Sequence, residues 1–435
     1  MIVSKLMPFI DRQIKQIEQG GISVYLRKFK FSFKKFFKLP LFILAIPVVL
    51  IIRLIRPWLL VRIGALMSSR IGHFAANTEL YFCEQRAGIN TPKQHHIDIF
   101  YLAYKPICNQ QLKTMWQRVL PIWPAWILEP IEWINRHIPG GIAHEIGNNT
   151  QHDRDVHNLL DQFPPHLHFT TEEEARGEAG LLAIGIRPGA RFVCLTVRDS
   201  AYLATHLPGG DYDYHNHRDS DVQNYVLAAE SLAERDYFVI RMGAKVIAPI
   251  NSAHPKVIDY ATNGMRSDFM DIYLGARCTF CISVGTGFDA VPLIFRRPIA
   301  LVNMLPAGYL FTFRNQHLGI FKHHLDSYSR RELSLSEIFS RKVGLCMSAS
   351  DYKMNGVDVI ENTPEEIRDL VIEMVERLNG TWLTDADDIA LQQRFWEIFP
   401  TDVVDVYEGR RLHGEIRGRF GANYLRNNQE FLQRE

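Results

Sequence analysis

Three stretches of this 435-residue chain hold side chains suited to binding a phosphate or diphosphate. Arg198 and Asp199, then Arg241 and Gly243, then Gly285, Thr286, Gly287 and Asp289 each follow a short apolar run. A guanidinium is planar, always charged, and can meet two phosphate oxygens at once. A glycine lets the backbone itself approach an anion. Alone, Gly285-Thr286-Gly287 reads equally well as a tight turn, and either arginine alone reads as structural. Together they point to a diphosphate site. A fourth group, Arg70, Gly72, His73 and Asn77, converges near a helix start. There His73 reads either as a base or ligand-orienting group, or as a satisfied capping or core residue.

The elements that must position these residues can be read from periodicity. Cys278–Asn303 reads as strand, loop, helix, strand. Thr279–Ser283 is the first strand, Gly285-Thr286-Gly287 the break, Phe288–Phe295 the helix and Ile299–Val302 the second strand. A capping box at Thr171–Glu174 opens a helix to about Ile184, and Phe192–Val197 follows as a strand. A second box, Ser220–Gln223, opens a helix with Val226, Ala229, Leu232 and Ala233 on one face. Tyr237–Met242 and Val257–Tyr260 read as strands, and Phe269–Arg277 as a helix. Ser334–Glu337 and Thr363–Glu366 are further boxes. Alternating strands and helices predict a parallel, doubly wound sheet. Its strand ends lie along one edge, so Arg198, Asp199, Arg241, Thr286 and Asp289 meet there.

Hydrophobic residues make up 47% of the chain and charged residues 22%, which fits sizeable globular cores. The net charge of +1 argues against a general nucleic-acid binder, which carries a basic excess. Of the six cysteines only Cys278 and Cys281 are close, and no partner pair completes a zinc site. Both read as strand residues in a reducing compartment.

Residues 1–60 read as a membrane-associating segment. Arg27, Lys28, Lys30, Lys34, Lys35 and Lys38 crowd one stretch with phenylalanines between them and no acidic residue. The apolar run Leu39–Ile52 follows, interrupted by Pro40 and Pro47. It is short for a straight bilayer span. An interfacial foot on anionic lipid and a tilted span both fit, and the foot fits better.

Residues 61–169 show a smaller βα pattern. Phe74–Cys83, Asn109–Leu120 and Ala125–His137 read as helices and Ile97–Leu102 as a strand. His144–Phe169 carries five histidines, but no HxxxH spacing, and reads as a linker. The division is then 1–60, a 61–169 acceptor domain, a 170–380 donor domain and a 381–435 helical tail.

The stretches RIGHFAANTELYFCE, LTVRDSAYL, HRDSDVQNYVLAAESLAERDYFVIRMG and DIYLGARCTFCISVGTGFD resemble an uncharacterised bacterial family of GT-B-type glycosyltransferases tied to surface carbohydrate genes. The order strand-Arg-Asp, RMG, SVGTGFD is also distantly similar to GT-B fucosyltransferases. The resemblance implies an α/β fold of two Rossmann-like domains with parallel sheets, behind an N-terminal membrane-associated helical segment. It implies that Arg198, less surely Arg241, contacts a donor diphosphate, and that Asp289 falls near the acidic residue that holds donor ribose or sugar. Such enzymes need no metal and no cofactor beyond the nucleotide-sugar substrate. If the reaction inverts, a base is needed, with His73, Asp199, His217 and Asp219 as candidates and Asp199 and His73 foremost. Arg70, Gly72, Asn77, His217 and Asp219 would lie on the acceptor side.

The expected function is therefore a glycosyltransferase at the cytoplasmic face of the inner membrane, peripheral or monotopic. Its partners would be a nucleotide-sugar donor, a glycan or lipid-linked acceptor and an anionic membrane surface, with no nucleic acid. A polysaccharide pyruvyl transferase on a similar scaffold, or a catalytically silent membrane scaffold or sugar-binding protein, are the alternatives.

Overall fold

Short apolar runs become strands where both faces can be covered, and most of this chain's strands are of that kind. The computed structural model describes residues 39–146, 153–201, 213–406 and 409–433. The first part of the segment read as membrane-associating, 1–38, lies outside them, as does much of the polar loop after Arg198.

Two compact units form. The smaller holds 39–65, 92–103 and 121–146. Its sheet has the order β1 (Leu60–Leu66), β2 (His96–Leu102), β3 (Ile122–Trp123), with β2 and β3 parallel. Arg62 sits in β1 with little exposure because Asp98 of β2 takes its guanidinium at 2.7 and 2.5 Å. The helix α1, residues 39–55, precedes this sheet.

The larger unit is built on a seven-stranded sheet, β12-β9-β8-β7-β4-β5-β6, with every pairing parallel. The strands are β4 (Arg191–Thr196), β5 (Tyr237–Met242), β6 (Val257–Ile258), β7 (Cys281–Ser283), β8 (Ile299–Met304), β9 (Leu318–Phe321) and β12 (Arg419–Phe420). β10 (His323–Asp326) and β11 (Val357–Ile360) form a separate antiparallel ribbon. Along β4, Val193 and Leu195 join one core and Phe192 and Cys194 the other. Such two-sided burial explains why these strands read as unbroken apolar runs. The helices Val226–Glu234 and Pro364–Asn379 supply Leu232, Ile367, Leu370 and Met374 to the first core. Asp268–Arg277 supplies Phe269, Tyr273 and Leu274 to the second.

Parallel α/β architecture is thus present, but the smaller unit's sheet has three strands and is no second full Rossmann-like sheet among the described residues. The contacts also cut across the sequence division at 169. The helices Ile71–Ala87 and Gln110–Val119 belong to the larger unit, because their apolar faces pack there: Leu80 and Cys83 join its core. Within His144–Phe169, read as a linker, the described residues after 152 pack into the larger unit. Its buried Arg154 donates to the carbonyls of Tyr309, Leu310 and Leu412. The tail does not stand apart either. β12 extends the main sheet, and Phe395 is buried in the main core.

Candidate functional site

The order β6-β5-β4-β7-β8-β9 is that of a doubly wound fold, and the strand order reverses between β4 and β7. Ligands of such sheets bind outside the carboxyl ends of the strands at that reversal. Here Thr196 closes β4, and its Oγ1 lies 3.2 Å from Thr286 Oγ1 in the loop after β7.

That loop is held from below. Ser283 Oγ donates to Asp289 Oδ2 at 2.9 Å and accepts from Gly285 N at 3.1 Å and Thr286 N at 3.4 Å. Asp289 is buried, and burial pushes its carboxyl up to about 7 against the Ser283 hydrogen bond. Its place is beneath the loop as an organiser. Gly285 has φ 74°, which an L side chain resists. The helix that follows is only Ala290–Ile294.

From the side the loop meets Arg218, whose Nη2 donates to Gly285 O at 2.9 Å. Burial, and then Arg198, push the Arg218 guanidinium down to about 10. Its Nε has no hydrogen-bond partner. Arg198 Nε donates to Asp219 Oδ1 at 3.2 Å, and Lys322 Nζ donates to Asp219 O at 2.6 Å. Lys322 is buried just past β9. Three cations therefore gather around Asp219 at the carboxyl edge. Burial raises the Asp219 carboxyl above its usual range although Arg198 opposes this. The His217 ring lies tilted against Tyr352, with ring centroids 5.3 Å apart.

The helix Ile71–Ala87 brings its start to the same loop. A Cβ on Gly72 would stand 3.1 Å from Gly287 Cα and 3.3 Å from Gly287 O. Both glycines are where they are because helix and loop touch. Arg70 is the N-cap, makes no side-chain cap bond, and no acidic residue follows in the first turn. His73 is 28% exposed, and its Nδ1 lies 3.8 Å from Asp153 Oδ2, too long for a hydrogen bond. Asn77 is buried with neither amide atom partnered.

Asp199 and Arg241 form a separate layer. Asp199 accepts from Ala201 N and Ile247 N, each at 3.0 Å, tying two loops together. Arg241 is 1% exposed beneath it, 3.8 Å from Asp199 and 4.0 Å from Asp259. Gly243 beside it has no room for a Cβ, with Val246 Cγ1 at 2.5 Å. The structure thus joins Arg198, Asp219, Gly285, Thr286 and Gly287 with the first turn of the helix, and groups Arg241 and Gly243 with Asp199, whose charge also acts on Asp219. The sequence reading missed Arg218 and Lys322. Lys322 follows the apolar run LGIF, the same strand-end signal that marked Arg198 and Arg241.

One potential metal-ligand group stands among the described residues: Glu79, Cys83 and His166. Arg296 Nη2 already reaches Glu79 at 2.6 Å and Cys83 Sγ at 3.7 Å, so a cation occupies its centre. Cys278 and Cys281 are both buried.

The fold and site define a parallel α/β protein in which cations and a glycine loop gather at the reversal of strand order. No family model and no curated protein matches the chain. Among solved structures, it is similar to the E. coli ADP-heptose lps heptosyltransferase II at 13% identity and a TM-score of 0.34, covering 55% of this chain and 84% of that one. A glycosyl transferase family 9 protein from Veillonella parvula gives 11%, 0.34, 55% and 79%. The spinosyn forosaminyltransferase SpnP gives 12%, 0.25, 74% and 98%. At these scores the likenesses carry no weight in the functional reading, which rests on the site.

Proposed function

We propose that the larger unit binds a nucleotide-activated sugar and transfers the sugar to a glycan or lipid-linked acceptor in bacterial cell-surface carbohydrate biosynthesis. One observation carries this: Arg218 meets a glycine loop where the strand order reverses, with Arg198 and Lys322 bound to Asp219 next to it in sequence. Cations and backbone N–H groups held in place there suit the negative charge that develops on a leaving nucleoside diphosphate. The uncapped start of the helix Ile71–Ala87 adds its dipole. No metal or cofactor has a part in this reading. His73, 28% exposed in the first turn and without a firm partner, is the base for an acceptor hydroxyl if the reaction inverts. Asp199, held by two backbone N–H groups, is the less free candidate. Segment 1–60 keeps the protein at the cytoplasmic face of the inner membrane, near a lipid-linked acceptor.

The test is a thermal-shift screen against UDP, GDP, CDP, CMP, ADP and phosphoenolpyruvate. Ligands that bind the folded state stabilise it by mass action. A shift with one nucleoside diphosphate supports the reading and names the donor class. A shift with phosphoenolpyruvate alone replaces it with pyruvyl transfer. No shift with any leaves a silent binding protein.

A further inference from the structure

The helix α1 of the smaller unit is apolar where it should be wet. Ala45 and Val49 are buried, and Ile52 packs with them against Ile63, Tyr101, Leu128 and Ile131. That stripe seats the helix. Around the rest of it Ile43, Leu44, Leu50, Ile51 and Leu54 are exposed by 58% to 72%. No charged residue stands between Lys38 and Arg53. A helix on a water-facing surface carries polar residues on that outer side. The apolar face continues onto the helix Ala125–His137. Trp133 packs edge-to-face on Phe42 at 5.4 Å, and Arg53 binds Asn135 Oδ1 at 2.7 Å. Trp126, two turns before Trp133, is 58% exposed, and Ile142 beyond the helix 82%.

We infer that this face of the smaller unit seats on a phospholipid bilayer, with α1 lying along the surface and Trp126, Trp133 and Ile142 as a second contact. Three observations select lipid as the occupant. The exposed apolar residues surround the helix outside its seating stripe, whereas a protein groove would cover one side. The seating stripe of Ala45, Val49 and Ile52 holds α1 against its own unit, so its apolar remainder is of the kind that lies in the interface. Six basic residues and no acidic one directly precede the helix in sequence, complementary to anionic headgroups. Tryptophan suits the boundary, with an apolar ring and a polar N–H. The inference deepens the membrane part of the proposed function and is independent of sugar transfer.

Co-sedimentation of the full chain with vesicles tests it, using phosphatidylcholine alone and with phosphatidylglycerol, at low and high salt. Binding to both is expected, stronger on the anionic vesicles, with a salt-resistant part. Leu44→Asp with Ile51→Asp should abolish that part. Trp126→Ser with Ile142→Ser should lower partitioning by about tenfold as buried apolar area is lost. These exposed positions on the second contact keep the test decisive if the first pair fails to fold. Nucleotide-induced thermal shifts should be unchanged in both, which separates this inference from the donor site. Complete release by salt, wild-type partitioning of the Trp126/Ile142 pair, or a stable dimer that ignores vesicles would each overturn it.

Discussion

Arg218 Nη2 donates to the carbonyl of Gly285 at 2.9 Å, so a guanidinium and the glycine loop form one surface. The contact leaves Arg218 Nε unpartnered beside Arg198. Two like charges at close quarters would be relieved by an anion, as the proposed function requires.

Arg218→Ala should therefore weaken nucleoside diphosphate binding by about 1.5–3 kcal/mol, the range for a hydrogen bond to a charged group. Arg198→Ala should act in the same direction. Titration calorimetry with UDP, GDP and ADP checks both. Unchanged affinity in the Arg218 variant would remove it from the donor site.

Gly72→Ala isolates the contact between helix and loop. Near a helix start alanine normally gains up to about 1 kcal/mol over glycine. Here the new methyl meets Gly287 backbone at 3.1 Å, which cannot rotate away. Destabilisation of about 1–3 kcal/mol is expected instead. Chemical denaturation gives the sign directly, and a stabilised variant would show that the loop yields.

Asp289 makes stability depend on pH. Burial raises its carboxyl from 3.8 to about 7, so the folded state holds a proton that the unfolded state releases. Its contribution falls as pH rises from about 3.8 to about 7 and is level beyond. Asp289→Asn can still accept from Ser283 and has no charge to bury. The variant should match the wild type near the acid end and exceed it above neutrality, by a few kcal/mol at most. Parallel melting curves at both ends test this, and a constant difference would refute it.

His323 gives the opposite sign. Burial works against its charge, but Glu332 and Glu366 hydrogen-bond both ring nitrogens and raise it to about 10. Its stabilisation is complete below 6.5 and is lost as pH rises through about 10. His323→Ala should cost no more than about 3 kcal/mol at pH 6, since the pair is partly solvated. The loss should shrink at alkaline pH, as denaturation at several pH values would show.

The main sheet was legible because its strands are apolar on both faces. Tyr237–Met242 is where the pattern placed it, and the boxes at Ser334 and Thr363 cap their helices as read. The box at Thr171 is shifted by one, since Thr170 and Glu173 share the same spacing. At 220–223 the cap is Asp221 and the first turn is a 3-10 helix. β1 was missed because Arg62 breaks its apolar run, and only its pairing with Asp98 lets it be buried. At the site the glycine loop and Arg198 were visible as strand-end residues. Arg218 comes from a polar loop without periodicity, and nothing local says which carbonyl it will reach.

Ser283 has one more consequence. Its hydroxyl holds Gly285 N, Thr286 N and Asp289 before any ligand arrives. Fixing a residue's backbone takes about 1–2 kcal/mol of entropy. In this loop that loss falls on folding and not on association. Capture of an anion there, as proposed, then needs no ordering of this loop. Its rate should follow diffusion and the pull of the surrounding cations, and slow as ionic strength rises.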